Sequence, residues 1–143
     1  LFNQRGGHNF IKIHLTVMLI NLSNHPSEKW DETQKNAAQP YGKLVDLPFP
    51  AIDPEAEMDA VVQLAEQYEI RIRQMFAQET TSAFAVHIMG ELTFCFALLM
   101  RLQKAGITCL ASTTRRETFE NGDGLKTSRF EFVRSREYAT LTS

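Results

Sequence analysis

The sequence predicts an α/β fold, three layers deep, with helices covering both faces of a mainly parallel sheet and an antiparallel β-hairpin at the C-terminal end. Three observations carry this expectation. The runs "VMLINL" (17–22) and "AFAVHIM" (83–89) are apolar, of strand length and without alternation, as in strands buried on both faces. Segments with helical spacing of apolar residues separate such runs, and strands alternating with helices imply a parallel sheet. Near the C-terminus "NGDG" (121–124) joins two Asn-Gly and Asp-Gly turn signals between polar, alternating segments.

In order, 17–22 is the first strand. Ser27 is expected to cap a first helix over "SEKWDETQKNAA" (27–38), which has acidic residues in its first turns and stops at "QPYG" (39–42). "KLVDLP" (43–48) is a second short strand, halted by the prolines that follow. Asp53 is expected to cap the second helix with Pro54 at its first position. Met58, Val61, Val62, Leu64, Ala65, Tyr68, Ile72, Met75 and Phe76 then form its apolar stripe. After the third strand, "ELTFCFALLMRLQKAG" (91–106) is a mostly buried helix ending at a glycine. "ITCLAST" (107–113) is the fourth strand, and the hairpin arm occupies about 113–138.

Right-handed crossovers with the second and third strands on opposite sides of the first give the order 2-1-3-4, a Rossmann-like three-layer sandwich. With 143 residues the chain suits one hydrophobic core rather than two, so residues 18–143 are expected to form a single domain and 1–17 an N-terminal extension.

Composition narrows the function classes. Hydrophobic residues at 43% and charged residues at 22% are ordinary for globular proteins and argue against disordered and fibrous classes. The longest apolar windows, "FIKIHLTVMLINL" (10–22) and "LTFCFALLM" (92–100), fall short of the roughly 20 residues of a membrane helix, and no secretory cleavage site follows the first. A cytoplasmic protein without a membrane partner is expected. A net charge of -2 gives no global attraction to phosphate backbones, which argues against duplex nucleic acid as a partner. Cys95 and Cys109 sit inside apolar runs without CxxC pairing and read as reduced, buried thiols. No His, Cys and carboxylate cluster has metal-site spacing, and GxGxxG, GxxxxGK[ST] and GxSxG are all absent, so neither a metal nor a cofactor is expected.

Ligands of open parallel sheets bind outside the strands' carboxyl ends where the strand order reverses, here between strands one and three. The two loops leaving those strands, "SNHPSEK" (23–29) and "MGELT" (89–93), would therefore be neighbours. Candidate ligand-binding residues are Ser23, Asn24, Lys29, Gly90 and Thr93, joined from "STTRR" (112–116) by Ser112, Thr113, Thr114 and Arg115 or Arg116. Two helix N-termini, a glycine, hydroxyls and cations together suit phosphate oxygens. His25 and Glu91 are the candidate catalytic pair: a loop histidine can serve as acid or base, and the carboxylate would contact a sugar or base. Each also has a structural reading, as turn residue or helix cap. His87, inside a strand, reads as a satisfied core histidine.

A strand opening into "SNH", a later strand ending "HIMGE" before an apolar helix, and a terminal hairpin resemble the small single-domain CRISPR-associated Rossmann-fold (CARF) proteins over about 18–138. That resemblance implies a homodimer recognising a cyclic oligoadenylate second messenger in antiviral signalling, in some members with metal-independent, ring-nuclease cleavage. Ser23, Asn24 and His25, with Gly90, Glu91 and Thr93, would hold the ligand. His25 or Glu91 would assist proton transfer, and Lys29 or Arg115 would stabilise charge. "MGELT" departs from the family pattern in lacking paired small residues and a basic residue. Two other readings stand beside it: a non-enzymatic ligand-sensing or protein-interaction module, and a small hydrolase or transferase acting on a phosphorylated metabolite.

Overall fold

The computed structural model describes residues 16–79 and 83–141, so most of the expected N-terminal extension lies outside the described residues. Five strands form one sheet: β1 (Thr16–Ser23), β2 (Lys43–Asp46), β3 (Ala83–Met89), β4 (Thr108–Glu120) and β5 (Lys126–Glu137). The helices are α1 (Glu32–Ala38), α2 (Met58–Ala77) and α3 (Leu92–Lys104). The strand order is β2-β1-β3-β4-β5, parallel from β2 to β4, with β5 antiparallel to β4.

The expected order 2-1-3-4 is thus extended by a fifth position. β4 does not stop near Thr113. Only its first residues, Thr108 to Leu110, pair with β3, while pairing with β5 runs from Leu110 to Glu120. The alternating polar residues after Thr113 prolong the strand, and the hairpin is a continuation of the sheet that projects past the carboxyl ends of β1 and β3. Its tip is a three-residue loop closed by Asn121 and Leu125, with Gly124 in the left-handed region at φ 81° as this loop class requires. A bulge at Val133, between the Thr113–Arg134 and Thr114–Phe132 pairs, turns the ribbon where it leaves the sheet.

The apparent lack of alternation in the strands reflects two apolar faces. Met18, Ile20, Leu22, Val86, Ile88 and Cys109 pack with Val61, Ala65 and Ile72 of α2 and with Phe94, Leu98 and Leu102 of α3. Leu19, Ala85 and Leu110 pack on the other face with Trp30 and Ala38. Both cysteines are free and buried, and burial pushes their thiols up to about 11 for Cys95 and about 12 for Cys109, so neither is a nucleophile at neutral pH.

Three expected boundaries shift. Ser27 does not cap α1: Ser27–Lys29 is a short 3-10 turn, Trp30 is extended so that its ring enters the core, and Asp31 caps α1 by accepting from the Gln34 amide at 2.8 Å. Asp53 does not cap α2 either. Its carboxylate accepts from the Glu55 amide at 2.9 Å in a separate turn, and α2 starts at Met58 after an extended Glu57. α3 is only half buried, since Leu92, Phe96 and Met100, one turn apart, lie exposed along one side. It ends in a Schellman arrangement, with Ile107 donating to the Leu102 carbonyl and Gly106 at φ 77°.

Gly90 follows β3 because there is no room for a side chain: a Cβ there would collide with the Phe49 ring, which is held edge-on against Phe94. Gly90→Ala is expected to destabilise by about 1–3 kcal/mol through overpacking. Gly122→Ala, in open space at the hairpin tip, should cost less than about 0.5 kcal/mol, both variants being compared with wild type by urea titration.

Candidate functional site

On the α1 side of the sheet each strand changes character along its length. β1 presents Leu19, Asn21 and Ser23, β3 presents Ala85, His87 and Met89, and β4 presents Leu110, Ser112 and Thr114 on this one face. The apolar ends bury Trp30 and Ala38, and the polar ends floor a crevice of about 600 Å³ at the strands' carboxyl termini. Ser23, Asn24, His25 and Lys29 line it from the loop after β1, Asp31 and Gln34 from α1, and Met89 and Gly90 from the end of β3. Phe130 and Phe132 form its wall on β5, opposite Arg116 and Thr114.

Asn21, 1% exposed, organises the floor. Its Nδ2 donates to the Asp46 carboxylate at 2.8 Å and to the His25 carbonyl at 2.9 Å. Its Oδ1 accepts from Ser23 Oγ at 2.8 Å and faces His87 Nδ1 at 2.9 Å. Because both partners of Nδ2 are pure acceptors, the amide has one orientation. Its Oδ1 can only accept, so His87 Nδ1 carries the hydrogen, and His87 Nε2 is left to accept from Ser112 Oγ at 2.7 Å. Ser112 Oγ in turn accepts from Gln34 Nε2 at 3.1 Å.

The same network fastens the loop. Trp30 Nε1 donates to the His25 carbonyl at 3.1 Å and sets its ring edge-on to His87, centroids 5.4 Å apart. Ser27 Oγ donates to Asp46 at 2.8 Å. His87 is 4% exposed, and burial, helped by the nearby His25 side chain, lowers it from 6.5 to about 4. It is a neutral imidazole at physiological pH, with its hydrogen on Nδ1 and its lone pair on Ser112.

Of the residues singled out from sequence, Ser23, Asn24, His25, Lys29, Gly90, Ser112 and Thr114 line the crevice. Glu91 and Thr93 do not. The Glu91 carboxylate caps α3, accepting from the Phe94 amide at 2.8 Å and the Thr93 amide at 3.1 Å, and from Thr93 Oγ1 at 2.7 Å. These bonds hold Glu91 below the usual carboxylate range and occupy the α3 amides that a phosphate would need. Thr93 borders instead an apolar groove between α2 and α3. Strand pleating places Thr113 and Arg115 on the ribbon face opposite Thr114 and Arg116. Thr113 Oγ1 donates to the Arg134 carbonyl, and Arg116 donates to Ser128 Oγ at 3.0 Å. Arg129 also borders the crevice, although its pairing with Glu117 puts it on the far face.

Asn21, Gln34, His87, Phe130 and Phe132 are site residues that motif reading passes over. Their signal was present: a polar residue within each of two apolar strands, Asn21 in "VMLINL" and His87 in "AFAVHIM", two residues after an apolar one on the same face. Among the described residues no group of three or more His, Cys, Asp or Glu is arranged to hold a metal, and no helix is long and apolar enough to cross a membrane.

Residues 17–136 match the model of a family described as the uncharacterized protein MJ1673 family. No curated protein matches the chain.

The neutral His87 makes stability depend on pH. The unfolded chain takes up a proton near pH 6.5 that the folded chain accepts only near about pH 4, so stability is full above 6.5 and falls as pH drops through that window. His87 is expected to account for about 3 kcal/mol of that fall. Denaturant titrations at pH 7.5 and pH 4.5 check this: the drop in His87→Gln should be smaller than in wild type by most of that amount.

Proposed function

The chain belongs to the MJ1673 family, whose description assigns no activity, and we propose that its crevice binds a nucleotide or cyclic oligonucleotide. The observation that carries this reading is the β5 wall. Phe130, 66% exposed and inside a polar crevice, offers a face on which a base can stack. Lys29 enters the same space from the β1 loop, and hydroxyls and amides of Ser23, Asn24, Ser112 and Thr114 offer hydrogen bonds to phosphate and sugar. Phosphate is held by side chains here rather than by helix amides, because Glu91 already occupies the Thr93 and Phe94 amides of α3.

The fold supports the reading as a Rossmann-like three-layer sandwich, with an apolar cluster on each side of a parallel sheet and the crevice outside the carboxyl ends of β1 and β3. Its narrowest form is a cyclic oligoadenylate bound by a cytoplasmic homodimer in CRISPR-associated signalling. That form is supported by the likeness of the β1 and β3 loops to CARF proteins, and the dimer by the exposed stripe of Leu92, Phe96 and Met100. His25 faces the crevice and is the member of the sequence-derived catalytic pair in reach of a ligand.

Calorimetric titration with AMP, ATP and cyclic tetra- and hexa-adenylate tests the proposal. At least one ligand should bind, and Phe130→Ala should weaken it by about tenfold or more, the loss of one stacked base. Lys29→Ala should weaken it less as salt is raised, since an exposed cation is screened. Heats of dilution alone with all four ligands would remove the proposal.

A further inference from the structure

The hydrogen-bond directions in the crevice floor assign Ser112 a state unlike that of an ordinary strand serine. Its hydroxyl hydrogen is directed at His87 Nε2, 2.7 Å away, and one lone pair accepts from Gln34. The second lone pair has no partner among the described residues, and Ser112 lies in the crevice lining. His87 is 4% exposed, borders the crevice beside Trp30 and commits its Nε2 to this hydroxyl, so its basicity is directed at Ser112 Oγ. A nucleophile bonded to a base that is itself oriented by a third group is the arrangement that activates a serine.

We propose that Ser112 is a nucleophile toward phosphodiesters, with His87 as its general base and Asn21 as the positioning residue that holds the imidazole in the Nδ1–H tautomer. The substrate class rests on the nucleotide reading above. Ser112 Oγ bonds to phosphorus as the bond from phosphorus to the leaving alcohol's oxygen breaks. The serine proton passes to His87 Nε2 and from there to the departing oxygen. Water, deprotonated by His87, then displaces Ser112 Oγ from phosphorus, the serine recovers its proton, and a phosphomonoester is released with no change of oxidation state. Lys29, on the same crevice, faces the charge on the non-bridging oxygens. An anion bound there also favours the imidazolium of His87, raising its basicity when the substrate is present.

A fluorophosphonate probe tests the nucleophile without a known substrate, since Ser112 Oγ displaces fluoride from phosphorus. Peptide mapping by mass spectrometry should find one adduct, on Ser112 and absent from Ser112→Ala, and His87→Gln should slow its formation at least 100-fold. A second measurement needs no variant: nitrogen-15 shifts of His87 in wild type should show the Nδ1–H tautomer, and Asn21→Ala should lose that preference. Absence of an adduct from folded wild type, labelling of His87→Gln at the wild-type rate, or an Nε2–H tautomer would each overturn the proposal. Adduct formation that the nucleotides do not slow would leave the nucleophile standing and count against the ligand reading. Nucleotide binding without any adduct would do the reverse.

Discussion

The side-chain amide of Asn21 is the constraint on which the site depends. It is buried between β1 and β3 and uses all four of its hydrogen-bonding positions, on Asp46, the His25 carbonyl, Ser23 and His87. Each partner belongs to a different piece of the structure: the end of β2, the loop after β1, β1 itself and β3. An apolar residue of the same size would strand at least two buried groups, and aspartate would set a carboxylate against Asp46. Only a group with two donors and an acceptor satisfies this position, so local chain geometry and the tautomer of His87 are settled by one residue.

From that amide the electrostatics of the crevice follow. His87 is kept neutral by burial, and Trp30, tied to the same His25 carbonyl, covers it. The charges that border the crevice are those of its walls, Lys29, Arg129 and Asp31. An anionic ligand in such a space meets oriented dipoles beneath it and flexible cations beside it. Gly90 contributes by what it lacks, since the Phe49 ring fills the place of its side chain and locks the β3 loop to the α3 layer.

Much of the fold was legible because buried parallel strands announce themselves: "AFAVHIM" coincides with β3, and the order of elements led to the order of the first four strands. Helix starts were less legible. Ser27 and Asp53 are good caps in isolation, but Ser27 is claimed by Asp46 and Asp53 by its own turn, competitions that local sequence does not display. The loops that meet at the crevice followed from topology, whereas which side chains face it depended on strand parity. Parity separates Thr114 and Arg116 from Thr113 and Arg115, and the length of β4 decides it. His87 read as a core histidine and is one, with both nitrogens satisfied. Its other aspect, a bond to a crevice hydroxyl, requires knowing that Ser112 arrives from β4 on the same face.

The ribbon formed by β4 and β5 is joined by local pairing around a three-residue loop, whereas β4 touches β3 through only a few residues. Hairpins of this kind close in microseconds, while contacts between distant parts of a chain must wait for loop-closure entropy to be met. Asn21 and His87 are 66 residues apart in sequence, and His87 and Ser112 are 25 apart. The crevice is therefore expected to form later than the ribbon. Phe132 and Thr114 would already be neighbours on a formed ribbon before the floor beneath them exists, and the hydrogen-bonded floor would come into being only with the closed sheet.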